Sequence, residues 1–149
     1  MTSREQNRPR QGVSRVEALV ANDTLYLRFW GEPIAQPRPR ARLSAMGRII
    51  MYDPSTRFRA AAQVLLTAAL TEIGENDRPV YTRSHSLRVT AKYYSTDPRK
   101  DVDNLLKFSF DCLQGPVLAD DRYIVEVKAN KFHVVDSAEA RTDVEIEYY

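Results

Sequence analysis

At 149 residues the chain is long enough for one domain with a hydrophobic core and too short for two. With 43% hydrophobic and 28% charged residues it reads as a globular, cytoplasmic protein with no membrane partner: no apolar run reaches the ~18 residues of a membrane span, and the first residues lack the apolar stretch of a signal peptide. The single cysteine, Cys112, excludes an intrachain disulfide and reads as a small buried hydrophobe.

Residues 1–23 are polar and rich in Arg, Gln and Asn, with a weak apolar patch at Val16, Leu19 and Val20. They read as a mobile N-terminal tail, leaving 24–149 as the folded domain. From Thr24, Leu25, Leu27 and Phe29 alternate with Tyr26, Arg28 and Trp30, the period of a half-buried strand, until Gly31 and Pro33 stop it. The prolines of residues 33–42 keep the next stretch extended and facing outward. Around Gly47, Leu43-Ser44-Ala45 and Arg48–Tyr52 can form the arms of a hairpin. Asp53-Pro54-Ser55 then reads as a cap, and Phe58, Ala61, Ala62, Leu65, Leu66, Ala69, Leu70 and Ile73 repeat at helical spacing up to Gly74. After a charged loop, Leu87, Val89, Ala91 and Tyr93 form a second alternating strand, whose exit turn delivers the chain to Asp101.

Asp101 opens a second helix in which Val102, Leu105, Leu106, Phe110 and Leu113 face the core. Asp103, Lys107 and Asp111 lie four residues apart on the opposite face. Beyond Gln114-Gly115-Pro116 the chain is extended again from Tyr123 to Val134, and Val144, Ile146 and Tyr148 alternate in a last strand. The pattern predicts an α/β (α+β) domain with a mixed β-sheet packed by two main helices.

Charge is more telling than the net value of +2. Residues 33–60 carry Arg38, Arg40, Arg42, Arg48, Arg57 and Arg59 against Asp53 alone, whereas residues 101–121 carry five aspartates against Lys107 alone. The first stretch suits an anion and the second a cation. An enzyme acting on nucleic acid needs both, a basic surface for phosphates and an acidic site for a metal; a basic binding module needs only the first. Taken singly, Asp101 to Asn104 reads as a helix cap and Asp120-Asp121 as a turn. We read them together as halves of one site. Carboxylates drawn to one spot repel by ~4 kcal/mol per close pair at an effective dielectric near 20, so a cation must join them. Mg²⁺ suits these hard oxygen donors, and no histidine or cysteine set suggests zinc. Lys107 has two readings, an ion-pair partner of Asp103 or a cation beside a scissile phosphate.

The run Asp101-Val102-Asp103-Asn104-Leu105-Leu106-Lys107, then Phe110-Asp111-Cys112-Leu113, then Asp120-Asp121 before a strand ending near Lys131, resembles the RusA family of Holliday-junction resolvases. The resemblance extends from about Thr24 to the C-terminus. It implies a RusA-like fold and a small homodimeric endodeoxyribonuclease of DNA recombination and repair, one that resolves four-way junctions by paired symmetric nicks with Mg²⁺, or Mn²⁺ as a substitute. By position, Asp101, Asp103 and Asp121 match the family's catalytic, metal-binding carboxylates and Lys107 its catalytic lysine. Asp120 and Asn104 take supporting roles, and Lys131 joins the six arginines as a DNA contact. Aromatic strand faces at Tyr26 and Trp30, or at Tyr94, are candidates for the two-fold interface. The N-terminal tail has no counterpart, and Gln36 stands where one branch of the family often has lysine. A non-catalytic DNA-binding protein and a metal-dependent nuclease acting on flaps or single strands are the competing readings.

Overall fold

The computed structural model describes residues 12–37, 40–79, 81 and 85–149. Strands β1 (Arg15–Ala21), β2 (Thr24–Trp30), β5 (Leu87–Ser95), β6 (Ile124–His133) and β7 (Arg141–Tyr148) form one sheet in the order β1-β2-β7-β5-β6, while β3 (Arg40–Leu43) and β4 (Ile49–Tyr52) form a separate hairpin. The two helices are α1 (Thr56–Ile73) and α2 (Val102–Leu113). The expected mixed α/β architecture is therefore what the chain adopts. Within the large sheet only β5 and β6 run parallel. A parallel pair needs a crossover, and α2 is that crossover.

One expectation is corrected. Residues 15–21, read as part of a mobile tail, are a strand in full register with β2. Val16, Ala18 and Val20 alternate toward the core, and Asn22 and Asp23, at φ 52 and 61, make the tight turn that joins two such strands. Residues 1–11 of the expected tail lie outside the described residues.

The core lies between one face of the sheet and the helices. Leu66 and Leu70 of α1 meet Leu25, Leu27 and Phe29, Val144 and Ile146, and Leu87 and Val89, with Leu113 closing the cluster from α2. Each such side chain contributes about 1.5–3 kcal/mol by leaving water. The α1 stripe holds, although Ala61 is exposed and the helix starts at Thr56, after Pro54 and Ser55. In α2 the stripe is wider than expected. Leu105 packs against Ala91 and Tyr93 of the sheet, while Phe108 and Cys112 turn toward Ala62 of α1. The Cys112 thiol is buried, which pushes it up to about 12 and leaves it unreactive.

Candidate active site

The N-terminus of α2 is held by a framework that begins far away in sequence. Glu32 follows β2, and its carboxylate accepts hydrogen bonds from the Ser95 hydroxyl, the Thr96 amide (3.1 Å) and the Thr96 hydroxyl (3.0 Å). Lys100 Nζ lies 3.5 Å from the same carboxylate and donates to the Pro33 carbonyl at 2.5 Å. From the other side, Lys131 Nζ donates to the carbonyls of Lys100 (2.7 Å) and Pro98 (3.3 Å). The turn that delivers Asp101 is thus pinned between two strands. Burial alone would raise the Glu32 carboxyl; the Ser95 and Thr96 donors and Lys100 outweigh it and hold the group below its ordinary range. Glu32 gives no motif in the sequence, since its partners lie 63 to 68 residues away. Gly31 just before it has φ +127, and a Cβ there would sit 2.3 Å from the Gly12 carbonyl oxygen, so only glycine fits.

Asp101 is the N-cap of α2, with extended backbone (φ −74, ψ 135) and its carbonyl accepting from Leu105 N–H at 3.1 Å. Its side chain makes no capping bond. Among the described residues, the side chains of Asp101, Asp103 and Lys107 have no hydrogen-bond or ion-pair partner, and all three are exposed. The i, i+4 ion pair that would have made Lys107 a surface ornament of Asp103 is not formed. Asn104 is half-buried, and its carbonyl accepts from Gln36 N–H at 3.0 Å. Two bare carboxylates thus sit at the positive end of a helix dipole, with an ammonium one turn further on.

The second acidic pair lies elsewhere. Asp120 caps a single 3₁₀ turn, Asp121–Tyr123, by accepting from Arg122 N–H at 2.9 Å. Asp121 is raised above the usual carboxylate range by partial loss of water, then by its neighbour Asp120 and by Asp111. Asp111 belongs to the far end of α2. The helix runs back along β5, from Leu105 against Ala91 and Tyr93 to Leu113 against Leu87 and Val89, and β6 begins opposite Leu87. Asp103 and Asp111, eight positions apart in one helix, are separated by about 12 Å along its axis. Within one chain, then, the two acidic clusters lie at opposite ends of α2. Among the described residues no three His, Cys, Asp or Glu side chains come together as a metal would require. Asp101, Asp103 and Asp121 have the hard oxygens that Mg²⁺ takes, but a single chain does not gather them.

The basic residues divide. Arg40, Arg42 and Arg48 are exposed on the β3–β4 hairpin, and Arg57 is exposed with its guanidinium 4.8 Å from the Phe58 ring centre. Arg59 instead bridges the helices, pairing with Asp53 at 3.1 Å and Asp111 at 3.8 Å. Arg38 lies outside the described residues.

Residues 31–147 match the family described as endodeoxyribonuclease RusA. The chain belongs to this family, and the coarse function that follows is endonucleolytic cleavage of DNA. An uncharacterized Bacillus subtilis protein, YqaN, is 27% identical over 146 residues, covering 83% of this chain and 96% of its own. A solved protein of unknown function from Agrobacterium tumefaciens, Atu1372, is 13% identical and covers 98% of this chain and 90% of its own, with a TM-score of 0.34, too loose a likeness to carry an argument. No helix among the described residues is long and apolar enough to cross a membrane.

Proposed function

We propose that the protein is a homodimeric, structure-specific endonuclease that resolves four-way DNA junctions by paired nicks, and that each of its two sites draws carboxylates from both copies. The observation that carries this reading is the bare set Asp101, Asp103 and Lys107 on a pinned helix start, set apart from Asp121 at the other end of the same helix. A module that only binds DNA has no use for exposed carboxylates that repel phosphates, and the family match weighs the same way.

The edge strand β6 supplies the interface in this reading. It is ten residues long with Val125 and Val127 54% and 43% exposed, an open edge suited to pairing with another strand. In a two-fold antiparallel pairing centred on Val127, Glu126 faces Lys128 of the partner subunit, and Val125 faces Ala129 of the partner subunit. Asp121 then lies beside the end of the partner's β6, where Lys131 of the partner subunit anchors the α2 start bearing Asp101 and Asp103. The aromatic faces suit an interface less well. Trp30 is already flanked by Arg15, Arg28 and Arg141, and Tyr94 lies between Arg141 and Phe132.

Mg²⁺, or Mn²⁺ in its place, would lower the pKa of a bound water and neutralise phosphoryl charge when held by these carboxylates. Lys107 places its ammonium where a phosphate oxygen between the two acidic groups is met. Arginines of the hairpin and Arg57 grip the arms through phosphates, so affinity falls steeply with salt.

Complementation tests the arrangement. Asp103→Asn and Asp121→Asn are each expected to abolish cleavage of a synthetic junction while leaving gel-shift binding intact. Mixed after subunit exchange, the two variants regain single-strand nicking, because the heterodimer contains one site with both carboxylates. A mixture as inactive as either variant, although exchanged, places the carboxylates in the same chain and sinks the shared site.

A further inference from the structure

The β3–β4 hairpin leaves one surface that phosphate binding does not explain. Every paired residue in it is exposed. Its register, Arg40 opposite Tyr52 through Leu43 opposite Ile49, sorts the side chains by face. One face carries Arg40 and Arg42, the latter 5.5 Å from the Tyr52 ring centre. The other is wholly apolar, with Leu43, Ile49 and Met51 71%, 73% and 62% exposed, and Met46 at the tip 83% exposed. The tip is ordered, since Ser44 and Arg48 are joined by a 2.7 Å backbone bond and Gly47, at φ +74, turns the chain back to the Ser44 carbonyl at 2.9 Å.

A lone two-stranded ribbon with a bare apolar face is poorly stable in water, so a partner must cover that face. The charge says which. Between Arg40 and Tyr52 there are three arginines and no acid, so an identical hairpin from a second copy is repelled and a polyanion is drawn in. Cations on one side and apolar groups on the other match a duplex end, phosphates outside and base faces within. Four residues of ribbon reach about 13 Å, more than the ~8.5 Å depth of a major groove. Apolar side chains part base steps at a cost of a few kcal/mol, least where stacking is already interrupted, as at a branch point.

We propose that Leu43, Met46 and Ile49 form a wedge that enters the branch point of the DNA and separates the bases there, while Arg40 and Arg42 hold the flanking phosphates. The inference rests on the junction reading above and adds the residues that recognise the branch.

The test uses the full-length protein and a four-way junction with 2-aminopurine at the branch point, its fluorescence read in EDTA and cleavage of the same junction read in a parallel arm with Mg²⁺. Wild type is expected to raise the fluorescence severalfold on binding, as the base unstacks. The variant Leu43→Ser, Met46→Ser, Ile49→Ser alters only exposed side chains and keeps its melting temperature. It should lose the fluorescence rise and cleave the junction at least tenfold more slowly, with linear-duplex affinity and salt slope unchanged. Arg40→Ala, Arg42→Ala should do the reverse, flattening the salt slope but retaining the rise at saturating protein. If the serine variant unstacks and cleaves as wild type does, the wedge is overturned while the junction reading stands. If it sediments as a monomer where wild type is a dimer, the apolar face is a subunit contact and the wedge is overturned. A wild type that cleaves duplex and junction alike overturns both.

Discussion

The turn from the end of β5 to α2, residues 95–100, and the β3–β4 hairpin, residues 40–52, both carry arginine and both lead toward a helix. The first is tied down by Glu32 on one side and Lys131 on the other, so that even its lysine, Lys100, is spent on a carboxylate and a carbonyl. The second makes its internal ribbon bonds and leaves its side chains in solvent. Chemistry at a phosphodiester needs groups fixed to within a fraction of an ångström; gripping a flexible, branched polyanion needs reach and exposed charge. The fold places rigidity where Asp101 begins and exposure where DNA is met.

The largest loss of activity short of removing a carboxylate is expected for Lys107→Ala. The side chain is exposed and has no hydrogen-bond or ion-pair partner among the described residues, so folding and melting temperature should stay at wild-type values. Junction cleavage should slow by roughly 10²–10³ at saturating substrate, the usual effect of deleting one charge that faces the developing negative charge. Unchanged single-turnover rates would leave Lys107 a bystander on the helix surface.

Breaking the pinned turn comes next. Glu32→Ala removes the acceptor of four donors and should lower the single-turnover rate by roughly 10–100-fold with junction affinity nearly unaltered, the mark of a misplaced site rather than a lost contact. Glu32→Gln keeps an acceptor for Ser95 and Thr96 and should recover most of the rate. The pH dependence has a definite sign. Because the folded carboxyl lies below its ordinary value near 4.5, its stabilising contribution is complete above that value and disappears as pH falls through the folded one. Acid unfolding followed by fluorescence should therefore be shallower in Glu32→Gln. Equal acid profiles would mean that the carboxylate charge is not what holds the turn.

Much of this contrast was legible before the fold was known, because period-2 and period-3.6 patterns report directly on β2, β5, β7 and α1. β1 is missed because the weak patch read at Val16, Leu19 and Val20 passes over Ala18 and so hides the alternation Val16, Ala18, Val20; the Asn22-Asp23 turn is the available signal. Phe108 escaped because α2 packs on both the sheet and α1, so its buried arc is wider than one stripe. The acidic motif was legible as chemistry but not as geometry. Helix α2, Val102–Leu113, is about 18 Å long, and it is the pairing of Ile124 with Leu87, invisible in the sequence, that holds Asp121 at its far end. Lys131 is legible only through the resemblance, as a DNA contact; its hold on the Lys100 and Pro98 carbonyls and the role of Glu32 are not, since a clamp made across the sheet leaves no local pattern.

The smallest effect, and the sharpest division between the two regions, is expected from paired arginine substitutions. Arg42 is exposed on the hairpin, whereas the Arg59 side chain is only 24% exposed and reaches Asp53 and Asp111. If Arg42 contacts a phosphate, Arg42→Ala releases about one counterion fewer on binding. The slope of log affinity against log salt then falls by about one, affinity drops severalfold at low salt, and the melting temperature stays put. Arg59→Ala removes a bridge between α1 and α2 instead. It should cost about 1 kcal/mol, a few degrees in melting temperature, and leave the salt slope unchanged. Both are equal members of one basic stretch in the sequence, and among the described residues the fold separates them by giving Arg59 two carboxylates and Arg42 none. A shift in salt slope for Arg59→Ala as large as that for Arg42→Ala would show that the bridge opens to meet DNA.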